Sequence, residues 1–210
     1  MLVAAVIRAT CSKLHYMKTC LLILFSLYSG SFGRQLAVDR NNTFSCTISS
    51  GFKTYKTGQV PDIKVAIANH SENEIYLIGA LDGSENKRRM PYCYFTIEKP
   101  KPDTILYQHC GTVNPLRTAE YRLVKSGESF DPYAQIDDKG FWRNHTIGDK
   151  ETFRNPGVYR IQFHYSTNST DIHRFLGSWD KNPDTARLKQ LFEKLPRIDL
   201  SSNVLEINIE

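Results

Sequence analysis

The chain has 210 residues, of which 40% are apolar, 23% charged and 11% aromatic. This composition excludes a disordered polymer and provides enough apolar mass for one folded domain. The formal charge of +5 at pH 7 does not mark a nucleic-acid binder, because its excess sits in the first 33 residues.

Those 33 residues contain no Asp or Glu. Lys18 precedes the apolar run Cys20-Leu21-Leu22-Ile23-Leu24-Phe25-Ser26-Leu27-Tyr28, and small residues follow at Ser29-Gly30-Ser31 and Gly33. A basic start, a short apolar centre and small residues two apart are the anatomy of a secretory signal peptide. The run is less than half of the roughly 20 residues that a membrane-spanning helix needs. Met17 is an alternative start, since Met17-Lys18 opens a leader of normal length. The expected mature chain, residues 34–210, then carries 24 basic and 22 acidic residues, because Arg8, Lys13 and Lys18 leave with the leader. No transmembrane segment is expected in it, and a secreted or periplasmic location follows from the leader. The cluster Lys87-Arg88-Arg89 after Gly83-Ser84 reads as a solvated loop.

Cys46, Cys93 and Cys110 remain after the leader. A Cys93–Cys110 disulfide would join two neighbouring strands across Lys99-Pro100-Lys101-Pro102-Asp103, worth about 3 kcal/mol by loop closure. Cys46–Cys93 is the rival, because each shares strand parity with apolar neighbours. No zinc spacing and no C-x-x-C motif is present.

Strand signals run from residue 44 to 166. Asp62–Ala68 alternates Ile63, Val65 and Ile67 with smaller or charged residues. Asn69–Asn73 reads as a polar turn before a strand over Glu74–Gly79. Tyr92–Glu98 and Thr104–Gln108 are rich in aromatic and β-branched residues, and Glu120–Val124 and Glu128–Phe130 follow, joined at Ser126-Gly127. Short strands separated by turns indicate a sandwich or barrel rather than alternating strands and helices.

After Asn155-Pro156-Gly157, the segment Val158–Tyr165 places Tyr159, Ile161, Phe163 and Tyr165 on one face and Arg160, Gln162 and His164 on the other. This Pro-Gly-x-Tyr-x-Ile-x-Phe pattern resembles the penultimate strand of immunoglobulin-like sandwiches. The resemblance implies that Tyr159 ties down the adjoining corner. The final strand is expected over Asn203–Ile209. The fold class expected is therefore mainly β, an immunoglobulin-like antiparallel sandwich spanning 34–210 with one short helix in an insertion before the last strand.

That insertion covers about residues 168–200. Asn182-Pro183-Asp184 offers a helix start, Leu188, Leu191, Phe192 and Leu195 form an apolar stripe, and Pro196 ends it. The stripe is expected to pack on the sandwich edge. Sequons occur at Asn41, Asn69, Asn144 and Asn168, candidate glycan sites if the chain enters a eukaryotic secretory pathway.

No nucleophile elbow, zinc helix motif, phosphate loop or dinucleotide fingerprint occurs, and no cofactor is implied. His70, His109, His145, His164 and His173 are scattered, with His164 on the polar side of its strand. Asp131, Asp137 and Asp138 lack calcium-loop spacing. The candidate partner-binding residues are Phe141 and Trp142, in an expected loop, and Phe175 and Trp179, in the insertion. Large aromatics exposed on loops are favoured at interface centres; the competing reading has Trp142 and Trp179 sealing the ends of the core.

Gly127-Glu128-Ser129 followed by a strand, and later Pro156-Gly157-x-Tyr159, is similar to exported sandwich modules. These include bacterial sandwich proteinase inhibitors and the accessory sandwich domains of secreted metalloproteases. The resemblance spans roughly residues 55–166 and implies an accessory or binding role, without transferring any functional residue. The insertion and the Cys93/Cys110 pair depart from it. The expectation is a non-enzymatic module binding an extracellular or periplasmic protein or glycan, not a nucleic acid. The alternatives are proteinase inhibition through a protruding Asp82–Met90 loop and, third, a hydrolase with dispersed residues.

Overall fold

Alternation of apolar and polar side chains gives the chain its strands, and register distributes them among sheets. The structure, a computed structural model, describes residues 43–100, 113–134, 147–177 and 185–210, all within one compact unit, Leu36–Glu210. The strands are β1 (Phe44–Ser50), β2 (Thr54–Tyr55), β3 (Ile63–Asn69), β4 (Ile75–Ile78) and β5 (Tyr92–Glu98). They continue with β6 (Tyr121–Val124), β7 (Ser129–Phe130), β8 (Gly157–Ser166), β9 (Asp199–Ser201) and β10 (Leu205–Ile209). Two helices, α1 (His173–Leu176) and α2 (Thr185–Glu193), lie between β8 and β9.

The fold is mainly β, with three sheets among the described residues. One has the order β1-β3-β7, one the order β2-β10-β8-β5 with β9 also on β8, and β4 pairs with β6. All pairings are antiparallel except β2 with β10. Phe44, Cys46, Ile48, Ile63, Val65 and Ile67 from the first sheet meet Tyr159, Ile161, Phe163, Tyr165, Ile207 and Ile209 from the second in one apolar cluster. Every inward residue of β8 is fully buried, as its alternation requires. Each large side chain buried here stabilises the fold by about 1.5–3 kcal/mol.

Polar atoms tie these layers together where strands cannot. The Asn203 amide donates to the Ile48 carbonyl (3.1 Å) and accepts from the Ile48 N–H (2.9 Å), so one side chain acts as a strand partner for β1. Tyr165 Oη donates to the Ile78 carbonyl at 2.9 Å and accepts from the Ile78 N–H at 3.3 Å, joining β8 to β4. Asn69 is fully buried, and its Nδ2 donates to the Asn73 and Val124 carbonyls. That nitrogen has no room for a glycan in the folded protein, which removes Asn69 from the candidate sequons. Asn168 is exposed, whereas Asn41 and Asn144 lie outside the described residues.

Several expectations change at this level. The Ser126-Gly127 turn does not close a hairpin: it passes the chain from β6, paired with β4, to β7, paired with β3. Its geometry is fixed by Gly127 at φ +76 and by bonds between Gly127 N–H and Asn69 O, and between Asn69 N–H and Glu128 O. Among its described residues the insertion holds two helices and a strand rather than one helix, and β9 returns to pair with β8. The apolar stripe of α2 is buried as expected, but it packs with Ile78 and Tyr121 of the β4–β6 pair, Leu81, Met90, Leu116 and α1 in a second cluster. Cys46 and Cys93 are both buried free thiols. Cys110 lies outside the described residues, so the expected Cys93–Cys110 bridge is not part of the described structure. Burial pushes the Cys46 thiol up to about 12 and that of Cys93 well above its ordinary value.

Tyr159 is buried on β8 and its hydroxyl donates to the Asn155 carbonyl at 2.9 Å, locking the corner that leads into the strand. Tyr159→Phe keeps the ring and loses this bond. It is expected to cost about 1 kcal/mol in urea unfolding and to lower Tm by about 2–4 °C in calorimetry.

Candidate functional site

The outward residues of β5, β8 and β9 form rows across the second sheet. Register sets Tyr92 opposite Ser166, and Ser166 opposite Asp199; in the next row Tyr94 faces His164, and His164 faces Ser201. Directly opposite residues of antiparallel strands project on the same side and touch. A depression of about 450 Å³ opens over these two rows, with Lys87, Asn168 and Arg174 on its rim and walls.

Its contacts are polar and aromatic. The His164 ring stacks on Tyr94, with centroids 4.7 Å apart and planes 17° apart. Lys87 Nζ lies 4.0 Å from the Tyr94 ring centroid. The Arg174 guanidinium carbon lies 5.6 Å from the Tyr92 ring centroid, and its Nη2 donates to Tyr92 Oη. Cations over aromatic faces gain about 0.5–1 kcal/mol at exposed sites. Asn168 Nδ2 donates to Asp199 Oδ2 at 2.5 Å. Lys87 has φ +60, a left-handed conformation disfavoured by roughly 1–2 kcal/mol for a residue with a Cβ.

Two cations reach the groove from outside the sheet, and one buried residue places both. Arg89 is 2% exposed. Its Nε donates to the Phe175 carbonyl at 2.9 Å and its Nη1 to the Asn114 carbonyl. Beside it, Met90 N–H donates to the Arg174 carbonyl (2.8 Å) and Leu116 N–H to the Leu176 carbonyl (3.0 Å). The loop carrying Lys87 is thereby fastened to the helix carrying Arg174. Gly177, at φ +66, is required here, because a Cβ would overlap the Asn114 carbonyl oxygen. Burial lowers the Arg89 pKa to about 10, with Glu120 and Asp82 opposing the shift, so the side chain stays charged at neutral pH.

This corrects two readings of the loop. Arg89 is not a solvated member of a basic cluster; Lys87 and Arg88 are exposed, and Arg89 points inward. Asp82–Met90 does not protrude either. Gly83, Ser84, Arg89 and Met90 are buried, and the segment is cross-linked by its own turns, with Arg88 and Arg89 N–H both donating to the Gly83 carbonyl. An inhibitory loop has to be presented to a protease cleft, and only Asp82 and Glu85–Arg88 of this segment are partly or fully exposed.

Among the sequence-derived candidates, Phe175 is not a surface aromatic. It is fully buried in the second cluster, edge-on to Phe192 at 5.1 Å. Phe141, Trp142 and Trp179 lie outside the described residues, as do His109, His145, Asp137 and Asp138. Asp131 Oδ1 accepts the Tyr133 N–H at 2.9 Å in a local turn. Tyr92 and Tyr94 were legible only as strand formers; the signal that marks them is parity, since they alternate with the buried Cys93 and so face outward.

His164 is committed to hydroxyl partners. Nδ1 is 3.0 Å from Ser201 Oγ and Nε2 is 3.0 Å from Thr96 Oγ1. In a serine-histidine-aspartate triad a carboxylate holds one ring nitrogen while the other faces the nucleophile. Among the described residues no carboxylate bonds either nitrogen of His164. The same occupied nitrogens leave no lone pair directed at a metal, and among the described residues no three His, Cys, Asp or Glu side chains converge. The groove gathers hydroxyls, an amide, a carboxylate and two cations on one sheet face. No family model, no curated protein and no solved structure matches the chain, so the reading of the site rests on this geometry.

Two outcomes follow. Arg89→Met removes two charge-assisted bonds and leaves the buried Phe175 carbonyl unpaired, so it is expected to cost about 3 kcal/mol in chemical denaturation. Desolvation by burial, and then Lys87, lowers the His164 pKa below its ordinary 6.5. The unfolded chain therefore binds more protons than the folded one as pH falls through 6.5, so His164 makes the fold less stable on acidification. His164→Gln is expected to flatten the loss of stability between pH 7 and pH 5 in paired denaturation curves.

Proposed function

We propose that this chain is an exported, non-enzymatic binding module of the immunoglobulin-like sandwich type, and that it recognises a glycan in the groove over β5, β8 and β9. The observation that carries this is the lining itself. Tyr92, Tyr94, Ser201, Asn168 and Asp199 place hydroxyl, amide and carboxylate groups around one open depression of about 450 Å³. Sugar hydroxyls both donate and accept, and this set meets both needs. A protein partner of ordinary interface size would call for a larger apolar centre than this groove has.

The sandwich assignment is supported by two sheets sharing one core and by the Tyr159–Asn155 corner bond, which is the role a tyrosine plays in such folds. Export is supported by the basic, apolar and small-residue order of residues 18–33; the protein would then act outside the cell or in a periplasm. The non-enzymatic reading is supported by His164, held between two hydroxyls without an orienting carboxylate.

The test is binding of the purified protein to a broad oligosaccharide array, with Tyr94→Ala and Ser201→Ala as controls verified by circular dichroism. Binding of a defined glycan class, lost in both variants, is expected. Absence of any glycan binding by the folded wild type, or binding indifferent to both substitutions, contradicts the proposal.

A further inference from the structure

We infer that the glycan is an acidic one, and that Lys87 and Arg174 together hold its sulfate or uronic carboxylate at one end of the groove; this deepens the glycan-binding reading and rests on it. Lys87, Arg174 and Arg160 all stand at the outer face of this sheet, and they are treated differently. Arg160 sits between Glu98 and Glu206, at 3.8 and 2.8 Å, so its charge is matched within the protein. Lys87 and Arg174 have no such match. Among the described residues neither has a carboxylate within 4.0 Å, and their neighbours are the rings of Tyr94 and Tyr92. An aromatic face holds a cation in place without neutralising it, which leaves the outward N–H groups to an incoming anion.

The one carboxylate of the groove stands apart from them. Asp199 is opposite Ser166, which is opposite Tyr92, so it lies two strand spacings, or about 10 Å, from the Tyr92 strand. Its partner is Asn168. The groove is therefore polarised, with cations at the β5 side and a hydroxyl acceptor at the β9 side. A saccharide with an anionic substituent on one ring and free hydroxyls on the next matches that order. The left-handed backbone at Lys87, disfavoured for a lysine, brings its ammonium over Tyr94.

The experiment is titration calorimetry on the full chain with four probes: a heparin-derived sulfated oligosaccharide, a hyaluronan oligosaccharide, a neutral chito-oligosaccharide and sodium sulfate alone. One or both acidic oligosaccharides are expected to bind about tenfold or more tightly than the neutral one, and more weakly as salt is raised. Lys87→Asn, whose residue tolerates the left-handed conformation, and Arg174→Gln are each expected to lower that affinity about tenfold while lowering Tm by no more than about 2–4 °C. Arg174→Lys, which keeps the charge, is expected to retain most of it, so a loss through misfolding is told apart from a loss of charge. Equal binding of acidic and neutral oligosaccharides, or affinity unchanged in the double variant, overturns the inference while leaving glycan binding standing. Binding of sulfate alone as tightly as any oligosaccharide overturns it in favour of a free oxyanion. No binding of any oligosaccharide overturns both.

Discussion

The groove depends on one guanidinium buried behind it. Arg89 donates to the Phe175 and Asn114 carbonyls, at the point where the 79–91 loop, the 113–116 segment and the end of α1 converge. None of these segments is a strand, so no ladder could align them. Burying an arginine costs desolvation, visible in the fall of its pKa to about 10. That cost is partly offset by satisfying the Phe175 carbonyl, which would otherwise be left bare in the second apolar cluster, while Arg89 Nη2 is left without a hydrogen-bond partner. Lys87 precedes this anchor by two residues, and Arg174 shares a backbone bond with the residue after it. The cations are thus placed by an interior constraint rather than by their own contacts.

The layering explains why the groove sits on this face. β8 is central in its sheet, with β5, β9 and β10 as neighbours, and its inward residues are all consumed by the core. Its outward residues are then presented on a strand paired along both edges. Toward β10 that outer face is closed by the Arg160 ion pairs, which are exposed and contribute little to stability. Toward β9 it is left open and polar. A recognition surface on strands needs less ordering on binding than one on loops.

Where one side of an element is buried, the sequence was legible. β3, β8 and α2 have alternation or a stripe strong enough to place both the element and its inward face, and their buried residues are the expected ones. β2 and β9 are two and three residues long; they exist because a distant strand offers a free edge, and no local pattern encodes that. The same limit hid the site. Tyr92 and Tyr94 lie on a strand also rich in inward apolar residues, so composition alone marks β propensity and not exposure. Pairing them with His164 and Ser201 requires register between segments up to about a hundred residues apart. Arg89 was misread because three basic residues in a row are ordinarily solvated, and the fold turns the third inward. Phe175 was misread because a single aromatic in an irregular insertion carries no periodicity to say which way it faces.

The account stands on the location of recognition, and backbone amide shift mapping addresses that most directly. In a two-dimensional NMR titration with the tightest-binding acidic oligosaccharide, the largest shifts are predicted at the amides of Lys87, Tyr92, Tyr94, His164 and Ser201, in a patch continuous across β5, β8 and β9. Shifts gathered elsewhere in the chain, with these amides unmoved, would contradict it.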